Sequence, residues 1–125
     1  MLSKVNFDEA FARFDDHWNP RIVADLNGQH VKVAKILGEF EWHHHEHEDE
    51  LFLIHRGEME MQWKEGEAAK SVLLKAGEFF VVPKTVEHRP IAKQEVQLIL
   101  FEPAETVNTG NISSDRTRTD LERLG

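Results

Sequence analysis

The sequence predicts an all-β fold, either a sandwich or a barrel, preceded by a short helix. Short apolar runs recur along the chain, and glycines and other turn residues separate them. The runs cover residues 31–37, 51–55, 59–63, 71–74, 79–82 and 96–101. Strands of this length, repeated about every 8 to 12 residues, are typical of β-sandwiches and β-barrels.

Two patterns of apolar side chains occur within these runs. Met59, Met61 and Trp63 alternate with polar residues, which is the period-two pattern of a strand with one buried face. Residues 51–54 and 79–82 are apolar at every position, which predicts strands that are buried on both faces.

One amphipathic helix is predicted over residues 7–16. Its apolar side repeats at helical spacing in Phe7, Phe11 and Phe14. Asn6 stands at the start as an N-cap, and Glu9 three residues later completes a capping box. Pro20 ends the helical region, because the residue before a proline is pushed out of the helical conformation.

The chain is predicted to form one domain in three parts. Residues 1–20 are expected to be a helical segment, residues 21–104 a β-barrel, and residues 105–125 a polar tail. A chain of 125 residues can bury about two-thirds of the surface that its unfolded form exposes, so it can support its own core.

Composition excludes several classes of partner. The formal net charge is −8, from 15 basic and 23 acidic residues, so we expect no nucleic acid and no membrane surface as a partner. The chain has no cysteine, which excludes disulfides, thiolate ligands and a cysteine nucleophile. Its fully apolar runs are far shorter than the roughly 20 residues of a membrane span, and we expect a cytoplasmic protein.

A histidine cluster is the informative segment for function. Four of the eight histidines fall within residues 43–47, in an acidic surrounding. On an extended backbone His43 and His45 point to the same face, and His44 points to the other. Two neutral imidazoles on one face are a pair of metal ligands, which Glu50 can join if the acidic loop turns back. The alternative is a solvated polar loop.

The spacing of these residues resembles the first motif of the cupin family. That motif has a glycine, a His-x-His pair, a glutamate and a further glycine, which correspond here to Gly38, His43, His45, Glu50 and Gly57. Gly38 stands one residue off the family spacing, which affects the expected strand register and not the ligands.

A second motif strengthens the resemblance. Gly77, Pro83 and His88 match the family pattern, whereas Thr85 replaces its turn glycine and Ala92 its asparagine. The resemblance implies a cupin-type jelly-roll barrel, also called a double-stranded β-helix. It also implies that His88 is the remaining metal ligand.

The other histidines and acids leave alternatives open. His45 and His47 form a second His-x-His pair, but only two residues separate His47 from Glu50, so His43 with His45 fits the family pattern better. Surface or hydrogen-bonded roles are expected for His17, His30 and His55. Glu39 and Glu41 share the parity of the paired histidines, which makes either a candidate base or an exposed rim carboxylate.

Three histidines and one carboxylate are expected to bind one divalent transition metal per chain. Mn, Fe, Ni, Co and Zn all suit this ligand set, which does not choose among them. Because histidine must be neutral to bind a metal, affinity is expected to fall as the pH drops through about 6.5.

The function expected from the resemblance is a metal-dependent cupin protein that binds a small metabolite, as an oxygenase or an isomerase. The alternative is a non-catalytic binding or sensing module. The family also implies a homodimer. No catalytic residue is assigned, and the side chains considered for anchoring an anionic substrate are Arg56, Lys75, Lys84 and Arg89.

Overall fold

A computed structural model describes residues 2–124 of the chain. Over this part, one helix is followed by seven strands. The elements are α1 (Phe7–Phe11), β1 (Arg21–Leu26), β2 (Gln29–Glu39), β3 (Glu50–Arg56), β4 (Glu58–Glu65), β5 (Ala68–Lys75), β6 (Phe79–Val82) and β7 (His88–Pro103). The predicted all-β fold with a short N-terminal helix is confirmed.

The long strand β7 organises the sheet. The strand order is β1-β2-β7-β3-β6, and β4 pairs with both β5 and β7. All of these pairings are antiparallel. The first residues of β7 pair with β4, and its later residues pair with β2 on one side and β3 on the other. The strand therefore contributes residues to most of the circumference of a jelly-roll barrel.

The barrel interior is the larger of two apolar clusters in the described chain. Inward residues of strands β2 to β7 form it, including Ile36, Phe52, Met61 and Leu98. Met59 and Met61 are fully buried, as the period-two pattern of β4 predicted. The cluster encloses the space in which the polar residues described below meet.

The second cluster lies on the outer face of the sheet, under α1. Phe11 of the helix is 1% exposed and packs with Val33 of β2 and Ile99 of β7. Asn6 caps the helix as predicted, since its side-chain oxygen accepts a hydrogen bond from the backbone N–H of Glu9 at 2.9 Å.

The helix is shorter than the predicted span of residues 7–16, because it ends at Phe11. Phe14 is nevertheless buried. Its carbonyl accepts a hydrogen bond from Nζ of Lys35 at 2.6 Å, and the guanidinium of Arg21 lies over its ring. Contacts with the barrel thus replace the last helical turn.

Three strands differ from what the sequence patterns predicted or add to it. Strand β1 was not among the predicted apolar runs. In β6 the residues Phe79 and Val81 are 61% and 45% exposed, so the expectation that this strand is buried on both faces was wrong. Gly38 has a positive φ of 94°, and the pairing of β2 with β7 shifts register between Ile36 and Gly38.

The segment after β7 folds back onto the barrel instead of extending into solvent. The backbone N–H of Ile22 donates to the carbonyl of Glu122, and that of Leu124 donates to the carbonyl of Ile22, both at 2.9 Å. Thr109 is fully buried. None of the helices described is long and apolar enough to cross a membrane.

Candidate metal centre

The structure brings together the four side chains that the sequence singled out as ligands. His43, His45, Glu50 and His88 each offer one ligand atom, and these atoms all lie within 4.8 Å of one another. All four residues are buried, with exposed fractions between 1% and 4%. They form a group of three imidazoles and one carboxylate that could hold a metal ion.

Backbone pairing sets the positions of these side chains. Glu50 is the first residue of β3, and His88 is the first residue of β7. His43 and His88 form an isolated antiparallel bridge, with hydrogen bonds of 3.1 and 2.8 Å between their backbones. The carbonyl of His45 accepts a hydrogen bond from the backbone N–H of Thr85 at 2.7 Å, which joins the two motifs.

Hydrogen bonds to backbone carbonyls fix two of the imidazole rings. Nδ1 of His43 lies 2.9 Å from the carbonyl oxygen of Glu41, and Nδ1 of His88 lies 2.8 Å from that of Val86. A carbonyl only accepts, so each Nδ1 carries the proton and donates it. The Nε2 atoms of His43 and His88 therefore keep the lone pair that a metal requires.

Several buried atoms of the group have no hydrogen-bond partner within residues 2–124. They are Nδ1 and Nε2 of His45, Oε1 of Glu50 and Nε2 of His88. Oε1 of Glu50 lies 2.7 Å from Nε2 of His45 and 3.3 Å from Nε2 of His88. Buried polar atoms without a hydrogen-bond partner are costly, and a cation at this position satisfies them. The residues present therefore fit a divalent metal.

Burial shifts the protonation of His43 towards the form that binds a metal. Loss of solvation, helped by the nearby His88, lowers the pKa of His43 to about 4. Burial alone would raise the pKa of Glu50, but favourable contacts with Glu102 and two ligand histidines outweigh it. They hold the pKa of Glu50 well below its usual range.

Sequence reasoning missed a second acid in the interior, Glu102 of β7. Its side chain is 2% exposed, and its Oε1 accepts a hydrogen bond from Nζ of the equally buried Lys32 at 2.7 Å. Within the described chain its Oε2 has no hydrogen-bond partner. Burial and the charge of Glu50 raise the pKa of Glu102 well above its usual range. Its parity with the buried Leu98 and Leu100 was the signal that could have identified it.

A cavity of about 50 Å³ lies beside these groups. Its walls are mostly apolar, with Trp18 and Phe40 contributing aromatic rings. The polar side chains among its lining residues are His43, Glu50, Glu102 and Asn108. The ligand cluster thus adjoins a small apolar chamber with a second carboxyl group in its wall.

The two candidate bases from the sequence lie elsewhere. Glu39 is 64% exposed and faces Arg89 at 3.9 Å, and Glu41 faces Arg116 at 3.6 Å. Strand β2 ends at Glu39, so the regular alternation that linked these residues to His43 does not continue. Neither residue is among those that line the cavity.

The remaining histidines lie outside the cluster. His44 contacts Glu46, and His47 is exposed. His17 contacts Glu95 at 2.7 Å, His30 contacts Asp25 at 3.2 Å and His55 contacts Asp8 at 2.8 Å. All three match the expected surface or hydrogen-bonded roles.

The polar tail packs directly against the ligand segment. The backbone N–H of Asn111 donates to the carbonyl of His44 at 2.9 Å, and the side-chain oxygen of Asn111 accepts from the backbone N–H of His44 at 2.8 Å. Gly110 has a positive φ of 55°, and a Cβ there would lie 2.2 Å from the carbonyl oxygen of His44. Arg116 lies over the rings of Trp18 and Phe40.

An antiparallel barrel with a buried group of three histidines and one glutamate defines the class: a small β-barrel protein with a candidate metal centre. A family model described as Cupin domain matches residues 29–102. The chain belongs to the cupin family, as the resemblance of its two motifs implied.

One curated protein is similar to this chain in sequence. The uncharacterized protein YdbB of Bacillus subtilis (strain 168) is 37% identical over 67 residues, which are 54% of this chain and 57% of that protein. The match therefore spans little more than half the length of that relative.

Two solved structures share the fold. The cupin-2 domain containing protein from Shewanella frigidimarina is 38% identical with a TM-score of 0.74, and the match covers 79% of this chain and 93% of that chain. Protein NMB1881 from Neisseria meningitidis is 28% identical with a TM-score of 0.72, and the match covers 82% of this chain and all of that one.

Proposed function

We propose that His43, His45, Glu50 and His88 bind one divalent transition metal, on which the protein holds a small metabolite. The observation that carries this proposal is the convergence of four buried ligand atoms within 4.8 Å. Several of those atoms lack any hydrogen-bond partner in the part of the chain described. Mn, Fe, Ni, Co and Zn all suit the ligand set.

We further propose that the protein converts this metabolite as an oxygenase or an isomerase. A divalent ion with open coordination positions supplies a Lewis acid that polarises a bound oxygen. The chain's own contribution is a largely apolar chamber next to the ligands and an ionisable side chain, Glu102, in its wall. An acid or base facing the chamber is the feature that an enzyme needs and a simple binding module does not.

One observation favours the second candidate, a non-catalytic binding or sensing module. The cavity is small, about 50 Å³, and the tail packs against the segment that carries His44. A site of this kind holds a small ligand without requiring turnover.

The metal proposal is tested by elemental analysis of protein purified without a histidine tag. We expect about one transition-metal ion per chain in the parent and a large loss in His43→Ala, Glu50→Ala and His88→Ala. His47→Ala is the matched control, because His47 belongs to the same histidine run but is exposed. A parent that neither carries nor takes up a transition metal would overturn the proposal.

Turnover separates the two candidate functions. Metal-loaded protein is incubated with a panel of enolisable and catecholic compounds, and products are followed by NMR. Conversion that disappears in His43→Ala and His88→Ala supports the enzyme. Binding without conversion across the panel supports the module.

We propose in addition a cytoplasmic homodimer. Exposed Phe79 and Val81 on β6, which ends one side of the main strand order, support self-association. The absence of cysteine fits a reducing compartment. Light scattering at micromolar concentration tests the dimer, and a monomer there contradicts it.

A further inference from the structure

We propose that the chamber opens to solvent between Trp18 and Asn108, and that Arg116 fixes both sides of this mouth and so controls the entry of small molecules. The inference goes beyond the proposed function, because it concerns access to the chamber and holds whether or not a metal ion is bound. It assigns a role to Arg116, which the proposed function does not use.

The exposure of the lining residues locates the mouth. Most of the residues that line the chamber lie on β2, β3 and β7 and are buried. Within the described chain, Trp18 and Asn108 are the two lining residues that are partly exposed. Both lie outside the strands, Trp18 before β1 and Asn108 after β7. They therefore mark the place where the chamber meets solvent.

The side chain of Arg116 covers the aromatic side of the mouth. Its guanidinium carbon lies 4.9 Å from the centre of the Trp18 ring and 5.6 Å from the centre of the Phe40 ring. These two rings stack on each other at 4.8 Å, and both residues line the chamber. Because a guanidinium is attracted to the faces of aromatic rings, Arg116 holds the Trp18 side of the mouth in place.

The backbone of Arg116 is joined to the other side of the mouth. Nδ2 of Asn108 donates a hydrogen bond to the carbonyl of Arg116 at 2.7 Å, and Oδ1 of Asn108 accepts one from the backbone N–H of Arg118 at 2.8 Å. Both ends of the Asn108 amide thus hold the turn that carries Arg116. A shift of this turn would move both sides of the mouth together.

Polar contacts keep the guanidinium in this position. Nη1 of Arg116 donates a hydrogen bond to the carbonyl of Glu39 at 2.6 Å. It also lies 3.6 Å from Oε2 of Glu41, a buried oxygen with no hydrogen-bond partner in the described chain. The Arg116 side chain is 34% exposed, so it can move into solvent once these contacts break. Their strength therefore determines how readily the mouth widens.

The basic side chains that the sequence suggested for an anionic substrate do not line the chamber. Arg89 lines a surface pocket of about 430 Å³ to which Arg116 also contributes. Arg56, Lys75 and Lys84 line neither this pocket nor the chamber. Three acids accompany the two arginines in the pocket, so it has no excess of positive charge for attracting an anion. Control of entry by Arg116 therefore rests on its contacts.

Chemical labelling of histidine tests the inference. Diethyl pyrocarbonate reacts with the lone pair of a neutral imidazole, and tandem mass spectrometry measures the labelling rate at each histidine. His43 lines the chamber and reports entry, whereas the exposed His47 is an internal reference in the same protein. The full-length chain is labelled at pH 7 with a chelator present, so that a bound metal does not protect His43.

Arg116→Ala should raise the ratio of His43 to His47 labelling about tenfold, because the chain loses a charge-assisted hydrogen bond that holds the mouth. Arg116→Lys keeps the charge but loses the flat contact with the rings, and it should give a smaller rise. Arg118→Ala is the matched control. Arg118 lies in the same segment, but its guanidinium donates to two backbone carbonyls of that segment, and the ratio should stay unchanged.

A blocked mouth tests the route itself. Because the chain has no cysteine, a bulky maleimide can be attached at one introduced cysteine. Asp115 is exposed, precedes Arg116 and lines the surface pocket shared with it, so the maleimide on Asp115→Cys should abolish the rise caused by Arg116→Ala. Asp120→Cys with the same group is the control, since Asp120 is exposed but lines a different pocket.

The outcomes decide the inference without involving the metal. An unchanged ratio in Arg116→Ala overturns the role of Arg116, and so does an equal rise in Arg118→Ala. Where circular dichroism shows that Arg116→Ala is unfolded, Arg116→Lys decides in the same way. A rise that persists with the maleimide at residue 115 overturns the proposed mouth. The metal content of the purified protein tests the proposed function separately.

Discussion

The barrel interior contains two groups of buried polar side chains that differ in how their atoms are partnered. In the ligand cluster, Glu50 and two of the three histidines present atoms without a hydrogen-bond partner in the described chain. In the second group, Nζ of Lys32 donates a hydrogen bond to Oε1 of Glu102 at 2.7 Å, and only Oε2 of Glu102 lacks a partner in the described chain. Both groups are almost completely shielded from solvent.

The difference indicates which group of buried side chains would be stabilised by a bound metal ion. The hydrogen bond between Lys32 and Glu102 has both partners within the chain, so it depends only on both residues being present. The ligand cluster offers lone pairs but no cation, and a bound ion would supply the missing partner. The following predictions test this contrast, beginning with the largest expected effect.

Lys32→Met should produce the largest loss of stability. It removes the hydrogen-bond partner of Oε1 of Glu102 and leaves that oxygen buried without one, which lowers the free energy of unfolding by about 3 kcal/mol. Urea denaturation at pH 7 measures it. The double variant Lys32→Met/Glu102→Leu should recover most of the loss, and an equal loss in both variants would contradict internal pairing as the stabilising feature.

In the metal-free protein, His43 should make folding sensitive to acid. Its pKa is about 4 in the folded chain and about 6.5 unfolded. The unfolded state therefore takes up a proton in this window that the folded state resists. The neutral form stabilises the fold fully above pH 6.5, and the contribution is lost as the pH falls towards 4.

This loss amounts to about 3 kcal/mol between pH 7 and pH 4. Denaturation in the presence of a chelator, compared between the parent and His43→Gln, isolates it. Parallel pH profiles for the two proteins would rule out this role of His43. Protons should also begin to compete with the metal for His43 only near pH 4, whereas the sequence led us to expect this near pH 6.5.

Metal binding should stabilise the ligand cluster by mass action. At a free ion concentration 100 times the dissociation constant, the free energy of unfolding should rise by about 2.7 kcal/mol. Thermal unfolding with and without a chelator measures this rise. Glu50→Ala should lose it and His47→Ala should keep it; equal stabilisation of all three proteins would place the ion elsewhere.

Gly110→Ala should have the smallest effect, but one that reaches the ligand cluster. A Cβ there would lie 2.2 Å from the carbonyl oxygen of His44, so the tail or the ligand segment must shift. We expect a loss of about 2 kcal/mol in unfolding free energy and weaker metal binding. Titration with Mn(II) checks the second effect.

Gly66→Ala is the matched control for this substitution. Gly66 has a similar positive φ of 61°, but nothing lies within 4 Å of an added Cβ. It should cost about 1 kcal/mol from the backbone conformation alone and leave metal binding unchanged. Equal effects of the two substitutions would show that the close approach to His44 is unimportant.

The strands and the candidate ligand cluster could be predicted from the sequence because both depend on residues that are close together in the chain. The apolar residues of β2, β4 and β7 indicate buried strand faces through their local pattern. The candidate ligands His43, His45 and Glu50 are close in sequence, and His88 follows from a second motif with its own spacing. The structure brings these four residues together.

The contact between Lys32 and Glu102 could not be predicted in this way. The parity of Glu102 with Leu98 and Leu100 indicates an inward side chain. A single charged residue in a strand is usually directed towards solvent, however, so its contact with Lys32 had no signal in the sequence. Their partnership depends on the pairing of β2 with β7, in which Lys32 lies opposite Leu100 and His30 opposite Glu102. The carbonyl of Phe14, beyond the end of α1, is likewise bonded by a residue distant in sequence, Lys35.

The rim of the chamber lies partly outside the segment that matches the family. Trp18, Pro20 and Asn108 contribute to its lining, whereas the family match covers residues 29–102 and includes all four ligand positions. Relatives that keep the four candidate ligand positions can therefore differ in the residues that line the cavity from outside the shared segment. A comparison confined to residues 29–102 covers the candidate metal centre but leaves out part of the cavity wall.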